Sequence, residues 1–324
     1  MTDLLKIQNL KKYFPVTKGN ILGRVVGWVK AVDDVSFSLE EGETFGLVGE
    51  SGCGKTTISK LILLLEKATS GSIFFRGKNI LKLSGENLDK HRSSIQAVFQ
   101  DPSSSLNPRL RVCNIIAEPV VANKAIRKMD LRKRVEETLS QVGLSGGASN
   151  LFPHEFSGGQ RQRIAIARAL IARPQLIILD EAVAALDVSI QAQVMNLLKE
   201  IQSNLNISYL FIAHNLGTVR YMSHHIGVMY LGKLVERGFA EEIFTKRCHP
   251  YTQALFSAAL PSHPDIVKEE IVLTGEVPTA LNPPTGCRFH PRCTFASRIC
   301  SEIEPELKEY APDHYVACHL LGDT

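Results

Sequence analysis

Short apolar runs and helix-like patterns alternate along most of the chain. Thr44–Val48 has the composition of a buried strand, and a glycine-rich loop and a helix from Thr56 follow it. Residues 175–179 and 208–213 show the same buried-strand pattern, and Val188–Leu205 between them is predicted to be a helix. Strands that alternate with helices predict an α/β fold, in which helices cover the faces of a sheet.

Weaker patterns fill the intervals between these elements. They predict strands within the first 45 residues, as at 35–39, and further strands at 72–75 and 95–99. They also predict a hairpin from 227–230 and 233–236, and helices at 112–145 (clearest over 130–142) and 161–172. From about residue 262, proline, glycine and cysteine become denser, which indicates a separate C-terminal element.

Composition and charge narrow the classes of protein. The chain has 324 residues, of which 44% are hydrophobic and 22% charged, as in an ordinary globular protein. The formal net charge of +4 is too small to indicate a nucleic-acid partner. No apolar run reaches the roughly 20 residues of a membrane-spanning helix, and the start of the chain lacks the apolar core of a signal peptide. We therefore expect any role at a membrane to depend on partner proteins.

A glycine-rich loop between a predicted strand and a predicted helix matches the P-loop pattern G-x-x-x-x-G-K-[ST] in full. Its residues are Gly49, Glu50, Ser51, Gly52, Cys53, Gly54, Lys55 and Thr56. Glycines allow the backbone to wrap a phosphate chain, so that successive N–H groups point at the anion. We expect Lys55 to reach the outer phosphates and Thr56 to bind Mg²⁺, whereas Cys53 occupies a variable and chemically silent position.

Two carboxylates follow the predicted strand at 175–179. Asp180 at a strand end beside a P-loop is suited to hold Mg²⁺, usually through water. Glu181 next to it is suited to polarise the attacking water. With a P-loop earlier in the chain, this pair predicts nucleotide hydrolysis.

A second anion site is predicted at the start of the helix near residue 161. Ser157, Gly158, Gly159 and Gln160 combine a hydroxyl with two glycines at a helix N-terminus, where the helix dipole favours negative charge. This segment lies too far along the chain to belong to the P-loop. The two half-sites therefore suggest a dimer, with ATP between the P-loop of one subunit and this segment of the other.

At this point the sequence resembles the ABC ATPases, with Phe156–Gln160 in the place of their signature motif. The resemblance implies a glutamine switch at Gln100, a D-loop aspartate at Asp187 and a γ-phosphate histidine at His214. It also implies that Tyr13 stacks on adenine beside the apolar wall of Val32, and that Thr57 joins the ATP-binding residues. Gln100 would contact Mg²⁺ together with Thr56 and Asp180.

Two positions depart from the ABC pattern. Ala182 stands where proline is usual, and Ala184 stands where serine is usual. Neither change removes a charged group, but both lie in the turn that aims Glu181 and precedes Asp187.

Further segments resemble one subfamily, the ATPases of oligopeptide, dipeptide and nickel importers. These segments are residues 100–109, 153–160 and 249–255. The resemblance implies a RecA-like core with an antiparallel β subdomain in an ABC domain at 1–250, a helical subdomain at about 101–160, and a Cys-rich C-terminal extension at 251–324. It implies two membrane permease subunits, a second homologous ATPase and, indirectly, an extracytoplasmic solute-binding protein. The location implied is the cytoplasmic face of the plasma membrane, with peptides as the cargo.

Four of the seven cysteines, Cys287, Cys293, Cys300 and Cys318, crowd into the C-terminal part of the chain. Their spacing lacks the Cys-x-x-Cys pairs of zinc ribbons, and four thiolates suffice for a [4Fe–4S] cluster. The subfamily resemblance also implies such a cluster. Zinc, and unligated thiols or a disulfide, remain as alternatives. Neighbouring arginines and histidines are possible charge partners or substitute ligands, namely Arg288, Arg292, Arg298, His290, His314 and His319.

Two other functions compete with the importer ATPase. A soluble ABC ATPase acting on DNA or the ribosome usually carries two cassettes or a long coiled coil, and this sequence shows one cassette and no heptad run. A regulatory iron–sulfur protein with a vestigial ATPase is compatible with Ala182 and Ala184.

Overall fold

The computed structural model describes residues 3–18, 24–99, 105–122, 128–258, 273 and 275–321. The chain forms two compact units. The first consists of Met1–Leu4, Leu39–Thr44 and Lys82–Ala213, and the second of Leu5–Ser38, Phe45–Leu81 and His214–Thr324.

Strands and helices alternate as the sequence pattern predicts. The strands are β1 (Asp3–Lys18), β2 (Arg24–Glu40), β3 (Thr44–Val48), β4 (Ser70–Phe75), β5 (Lys78–Asn79), β6 (Ile95–Phe99), β7 (Leu176–Asp180), β8 (Ser208–Ile212), β9 (His225–Tyr230), β10 (Lys233–Phe239), β11 (Lys308–Ala311) and β12 (His314–Val316). The helices are α1 (Lys55–Ile62), α2 (Gly85–Ser94), α3 (Val112–Ala122), α4 (Lys128–Gln141), α5 (Gly158–Leu170), α6 (Val188–Leu205), α7 (Leu216–Met222), α8 (Ala240–Thr245), α9 (Pro250–Ser257) and α10 (Arg298–Glu302). The prediction of a mixed α/β fold is confirmed.

The first unit contains a parallel sheet in the order β8-β7-β6. Asp180 at the end of β7 lies opposite Phe99 of β6 on one side and Ile212 of β8 on the other. Every residue of β7 and β8 is buried, because a parallel sheet covered by helices has no solvated face. This burial explains why both strands read as continuous apolar runs in the sequence.

Helices of the first unit pack around α5, which contacts both α3 and α4. Ile115 and Ile116 of α3 and Leu139 of α4 are fully buried. The helical pattern predicted over 112–145 corresponds to two helices rather than one. Residues 123–127 between them lie outside the described part of the chain.

The second unit contains two sheets. One has the order β2-β1-β4-β5, in which β4 pairs antiparallel with both β1 and β5. The other is mixed in the order β11-β12-β10-β9-β3. Strand β3 runs parallel to β9, whereas β12 pairs antiparallel with β10 through Glu236 opposite Val316. The C-terminal strands thus extend the sheet whose strand β3 leads into the P-loop.

No helix in the described residues combines the length and apolarity needed to cross a membrane.

Candidate nucleotide site

Glycines give the P-loop its shape. Gly49 and Gly54 have φ angles of 149° and 114°, which residues with a side chain rarely adopt. A Cβ at Gly49 would lie 2.1 Å from the carbonyl oxygen of Met229, and one at Gly54 would lie 2.1 Å from that of Ala31. The loop therefore depends on glycine for both its conformation and its close approach to neighbouring backbone.

The side chain of Lys55 extends across the P-loop and is hydrogen-bonded to its backbone. Its Nζ donates hydrogen bonds to the carbonyl oxygens of Gly49 at 2.8 Å and Glu50 at 2.9 Å, and Lys55 is only 5% exposed. Helix α1 begins at Lys55, and Gly54 before it supplies no side-chain cap. A helix N-terminus without a side-chain cap and a fixed ammonium group together form a suitable site for an anion.

Cys53 is buried beside Lys55, with its Sγ 3.5 Å from the lysine Nζ. Burial raises the pKa of the Cys53 thiol above its ordinary value, although the charge of Lys55 works in the opposite direction. A thiol that stays protonated is a poor nucleophile, in keeping with the expectation that Cys53 is chemically silent.

Tyr13 is tied to Asp33 within the second unit. The Tyr13 hydroxyl donates to Asp33 Oδ1 at 2.5 Å, and Arg288 donates to the other carboxylate oxygen. Burial by itself raises the pKa of Asp33, but the hydrogen bond from Tyr13 and the charge of Arg288 outweigh it and hold that pKa below its ordinary value. Val32, next to Asp33, is fully buried. The predicted adenine contacts of Tyr13 and Val32 stay predictions.

Asp180 and Glu181 end strand β7 in the first unit. Asp180 is 5% exposed, whereas Glu181 is half-buried and has a left-handed φ of 53°. The Glu181 N–H donates to the carbonyl of Ile212 at 2.8 Å, and the Ala184 N–H donates to the Glu181 carbonyl at 3.0 Å. The backbone thus turns sharply at Glu181 and remains hydrogen-bonded although Ala182 replaces the usual proline.

Ser157 caps helix α5. Its Oγ accepts from the Gln160 N–H at 3.4 Å, while Gln160 Oε1 accepts from the Ser157 N–H at 3.0 Å. This reciprocal pair is a capping box, and it starts the helix at Gly158, three residues before the sequence pattern predicted. Ser157 and Gln160 are exposed, so the helix tip is open to solvent within its unit.

The segment at Ser157 packs against the residues around Asp187. A Cβ at Gly159 would lie 2.5 Å from Ile190 Cγ2, and one at Gly158 would lie 3.9 Å from Leu186 Cδ2. Asp187 immediately precedes α6 and is exposed. Asp180, Glu181, Ser157 and Asp187 therefore all belong to the first unit.

The remaining predicted residues have simpler positions. His214 is exposed and precedes Asn215, whose side chain caps α7 by accepting from the N–H groups of Gly217 and Thr218. Thr56 and Thr57 lie in the first turn of α1. Gln100 lies outside the described residues.

Two residues at the P-loop were not predicted from the sequence. The hydroxyl of Tyr251 accepts from the Glu50 N–H at 2.9 Å, and Arg292 donates to both carboxylate oxygens of Glu50 at 3.1 and 2.9 Å. They lie 201 and 242 residues from Glu50 along the chain. No local pattern carries a signal for a contact across so many residues.

The four C-terminal thiols are close enough to influence one another. Burial raises the pKa of Cys287 to about 11, and the other three thiols add to that shift. Burial likewise raises the pKa of Cys293 and Cys318. Two of these cysteines are also in direct backbone contact, since the Cys287 N–H donates to the Cys300 carbonyl oxygen at 2.8 Å.

The arginines beside these cysteines are already paired with carboxylates. Arg288 pairs with Asp33, Arg292 with Glu50, and exposed Arg298 with Glu302. Their positive charges are therefore shared with these acids, and we assign none of them mainly to the thiols.

A further polar group surrounds the fully buried Glu236. Single ligand atoms of Glu236, Cys248 and His314 lie within 4.8 Å of one another, a separation compatible with a metal ion. However, the Glu236 carboxylate already accepts from the N–H groups of Cys248 and His249, each at 2.9 Å, and lies 2.8 Å from His314 Nε2. Protein donors thus satisfy both oxygens, and the group is explained as a buried structural network.

Comparison with known families gives two matches along the chain. The profile of the family described as "ABC transporter" matches residues 32–184. The profile described as "Oligopeptide/dipeptide transporter, C-terminal region" matches residues 235–300.

Similar proteins match over nearly the whole length. The oligopeptide transport ATP-binding protein AppF of Bacillus subtilis is 52% identical, covering 98% of both chains. The dipeptide transport ATP-binding protein DppF of Escherichia coli is 45% identical, covering 98% of this chain and 94% of the relative.

Solved structures agree on the fold. CbiO1 of Clostridium perfringens, part of the ABC transporter complex cbiONQ, has a TM-score of 0.64 at 28% identity and covers 76% of this chain and 92% of its own. A dimeric structure of the ATP-binding cassette MJ0796 bound to ADP and Pi has a TM-score of 0.63 at 28% identity, with coverages of 73% and 98%.

Proposed function

Because the chain belongs to the family of oligopeptide and dipeptide transport ATP-binding proteins, we propose that it hydrolyses Mg-ATP to drive uptake of dipeptides or oligopeptides through partner membrane subunits. The resemblance noted in the sequence is confirmed, and so is the ABC-type P-loop fold. ATP hydrolysis coupled to transport is the activity of this family.

One observation carries the choice of peptides. The match to the oligopeptide/dipeptide transporter C-terminal region spans residues 235–300, beyond the ABC match that ends at residue 184. An ABC domain alone is compatible with many cargoes, whereas this second match points to one class of transporter. The cargo itself is handled by other subunits, so the chain's own chemistry concerns ATP.

The P-loop supplies the phosphate site. Lys55, held across the loop by two carbonyl oxygens, moves to the outer phosphates when ATP replaces the carbonyls as its partner. N–H groups from Gly52 to Thr57 surround the phosphates at the start of α1, and Tyr13 stacks on the adenine.

Several segments of the chain supply the groups for hydrolysis. Asp180, Thr56 and Gln100 would hold Mg²⁺, directly or through water, and the ion would offset the charge that develops on the phosphates. Glu181 polarises the attacking water, and His214 contacts the γ-phosphate. The left-handed φ of Glu181 supports its assignment, because the backbone leaves the extended conformation of β7 at this residue.

A second ATPase subunit completes the site. Ser157, Gly158, Gly159 and Gln160 bind the nucleotide held by the partner, next to Asp187 of the same unit. The exposure of Ser157 and Gln160 supports this arrangement, since their side chains at the helix tip are accessible to a partner's nucleotide. The partner is a second homologous subunit, and the pair lies under two permease subunits at the cytoplasmic face of the membrane. An extracytoplasmic solute-binding protein delivers the cargo.

We also propose that Cys287, Cys293, Cys300 and Cys318 hold a [4Fe–4S] cluster. The mutual influence of these thiols supports a shared site, and four thiolates are the ligand set of such a cluster. With these four ligands, such a cluster would cross-link the C-terminal extension. Anaerobic purification followed by iron, acid-labile sulfide and zinc analysis tests it. About four irons and four sulfides per chain support the cluster, and about one zinc without sulfide contradicts it.

Reconstitution with the membrane subunits and the second ATPase tests the main proposal. We expect peptide-stimulated ATP hydrolysis and peptide uptake into proteoliposomes, and loss of about 100-fold or more of this chain's hydrolysis in Glu181→Gln. Glu200→Gln, an exposed change on α6, is the matched control. Stimulation by nickel salts but not by peptides, or full activity of Glu181→Gln, would contradict the proposal.

A further inference from the structure

Glu50, the second residue of the P-loop, is held at all three of its polar groups. Its N–H donates to the Tyr251 hydroxyl at 2.9 Å, and its carbonyl oxygen accepts from Lys55 Nζ at 2.9 Å. Its carboxylate accepts from Arg292 Nη1 through both oxygens, at 3.1 and 2.9 Å. A single residue therefore links the phosphate-binding lysine to two side chains from the C-terminal part of the chain.

Tyr251 is fixed by its surroundings. It lies in the first turn of α9, where the Nδ1 of His249 accepts its backbone N–H at 3.0 Å. Its ring is fully buried, 4.6 Å from the ring of Tyr230 and 5.4 Å from that of Phe289, measured between centroids. A phenol packed in this way presents its hydroxyl at one position, so it restrains the Glu50 peptide rather than following it.

Arg292 is held with similar firmness. It is 7% exposed and ends a short 3₁₀ turn at His290–Arg292, with its N–H donated to the Phe289 carbonyl at 3.0 Å. Its Nη1 also lies 3.5 Å from the Tyr230 hydroxyl. Burial alone lowers the pKa of Arg292, but its hydrogen bonds to Glu50 and Tyr230 more than reverse this, so the guanidinium stays charged.

We propose that Tyr251 and Arg292 are positioning residues of the ATP site, which act through Glu50. They hold the Glu50 peptide in place, and this peptide in turn presents the ammonium group of Lys55 to the incoming phosphates. The inference rests on the proposed function, because it requires that the P-loop binds Mg-ATP.

The restraint on the P-loop is expected to affect ATP binding rather than the hydrolysis step. A loop that is ordered before the nucleotide arrives loses less conformational freedom on binding, so the restraint increases affinity. Both side chains belong to the second unit, whereas the carboxylates that end β7 belong to the first. We therefore expect their loss to weaken ATP binding and raise KM, with little change in kcat.

Equilibrium binding of a fluorescent ATP analogue with Mg²⁺, together with steady-state hydrolysis by the assembled transporter, tests this split. Tyr251→Phe removes only the hydroxyl, and Arg292→Ala removes the guanidinium. We expect each to raise Kd and KM for ATP about 10-fold and to change kcat less than about 2-fold. Arg292→Lys retains one charged donor and is expected to recover part of the affinity.

Arg298→Ala is the matched control for the extension. Arg298 is exposed and pairs with Glu302 one helical turn away, so its loss is expected to leave Kd for ATP unchanged. Thermal unfolding of each variant distinguishes local positioning from general destabilisation, since a destabilised protein loses active sites without a change in the Kd of those that remain.

A double-mutant cycle with Glu50→Ala tests whether Arg292 acts through Glu50. If it does, Arg292→Ala weakens binding about 10-fold in the wild-type background but less than about 2-fold in the Glu50→Ala background. A purely structural role for Arg292 predicts the same loss in both backgrounds.

Either of two results would overturn the inference and leave the proposed function intact. In the first, both Tyr251→Phe and Arg292→Ala bind ATP with the wild-type Kd. In the second, the effects of Glu50→Ala and Arg292→Ala on the free energy of ATP binding are additive. If the wild-type protein itself shows no saturable Mg-ATP binding, the proposed function fails first and the inference falls with it.

Discussion

Gly159 and Gly158 offer a sharp test of how the segment at Ser157 packs. An ideal Cβ at Gly159 would lie 2.5 Å from Ile190 Cγ2, well inside van der Waals contact, whereas one at Gly158 meets its nearest neighbour, Leu186 Cδ2, at 3.9 Å. Both glycines begin helix α5, so substitution by alanine is otherwise favourable. Gly159→Ala and Gly158→Ala are therefore the same chemical change at adjacent positions, but we expect them to have opposite effects on stability.

The expected magnitude follows from two opposing effects. Overpacking against Ile190 costs roughly 1–3 kcal/mol, because the Cγ2 of a β-branched side chain moves only if χ1 or the helix shifts. Replacing glycine by alanine in a helix recovers up to about 1 kcal/mol. We expect Gly159→Ala to be destabilised by about 1–2 kcal/mol, and Gly158→Ala to be neutral or slightly stabilised.

Thermal unfolding followed by circular dichroism measures the difference. At roughly 2–4 °C per kcal/mol for a unit of this size, Gly159→Ala is expected to unfold about 2–8 °C below Gly158→Ala. Ile190→Ala removes the clashing methyl group, so the double variant Gly159→Ala/Ile190→Ala is expected to be more stable than the sum of the single changes implies. Equal unfolding temperatures for the two glycine variants, or strict additivity in the double variant, would show that a Cβ at Gly159 does not clash with Ile190.

Two further predictions concern the buried network of the second unit. Burial lowers the pKa of His249 to about 4, despite the opposing charge of Glu236. The contribution of neutral His249 to the free energy of unfolding is therefore complete above pH 6.5, the ordinary pKa, and is lost as the pH falls towards 4. This loss amounts to about 3 kcal/mol, and a denaturant titration from pH 7 to pH 4 is expected to show a flatter profile in His249→Asn, which keeps an acceptor for the cap. An equally steep profile in that variant contradicts the assignment. Glu236→Gln replaces one acceptor oxygen by a donor that faces existing donors, and we expect it to lower stability by about 3–5 kcal/mol. Glu241→Gln, an exposed change on α8, serves as its control, and equal unfolding midpoints for the two variants would contradict this account.

Local motifs made much of the P-loop predictable. Its glycines, Lys55 and helix α1 follow one another within a few residues, and the hydrogen bonds of Lys55 to Gly49 and Glu50 span only six and five residues. The buried strands β7 and β8 were equally clear, because strands covered on both faces are apolar throughout.

Long-range contacts were not predictable in this way. Arg292 lies among the cysteines in the sequence and so was a candidate charge partner for them, but the structure pairs it with Glu50, 242 residues away. Strand-like alternation over the first 45 residues predicted strands in the region that forms β1 and β2, but neither their bounds nor their pairing. In β1, Asn9 has a left-handed φ of 45° and the register with β4 shifts between Gln8 and Lys11, an irregularity that interrupts the alternation.

The affinity of the wild-type protein and of Lys55→Ala for Mg-ATP tests whether the P-loop binds the nucleotide. Lys55 donates charged hydrogen bonds worth roughly 1.5–3 kcal/mol each to the phosphates, so the account expects saturable binding by the wild type and a Kd at least about 100-fold higher in Lys55→Ala. Lys60→Ala, an exposed change on the same helix, is expected to bind as the wild type does. Equal affinity of Lys55→Ala and the wild type would contradict the account.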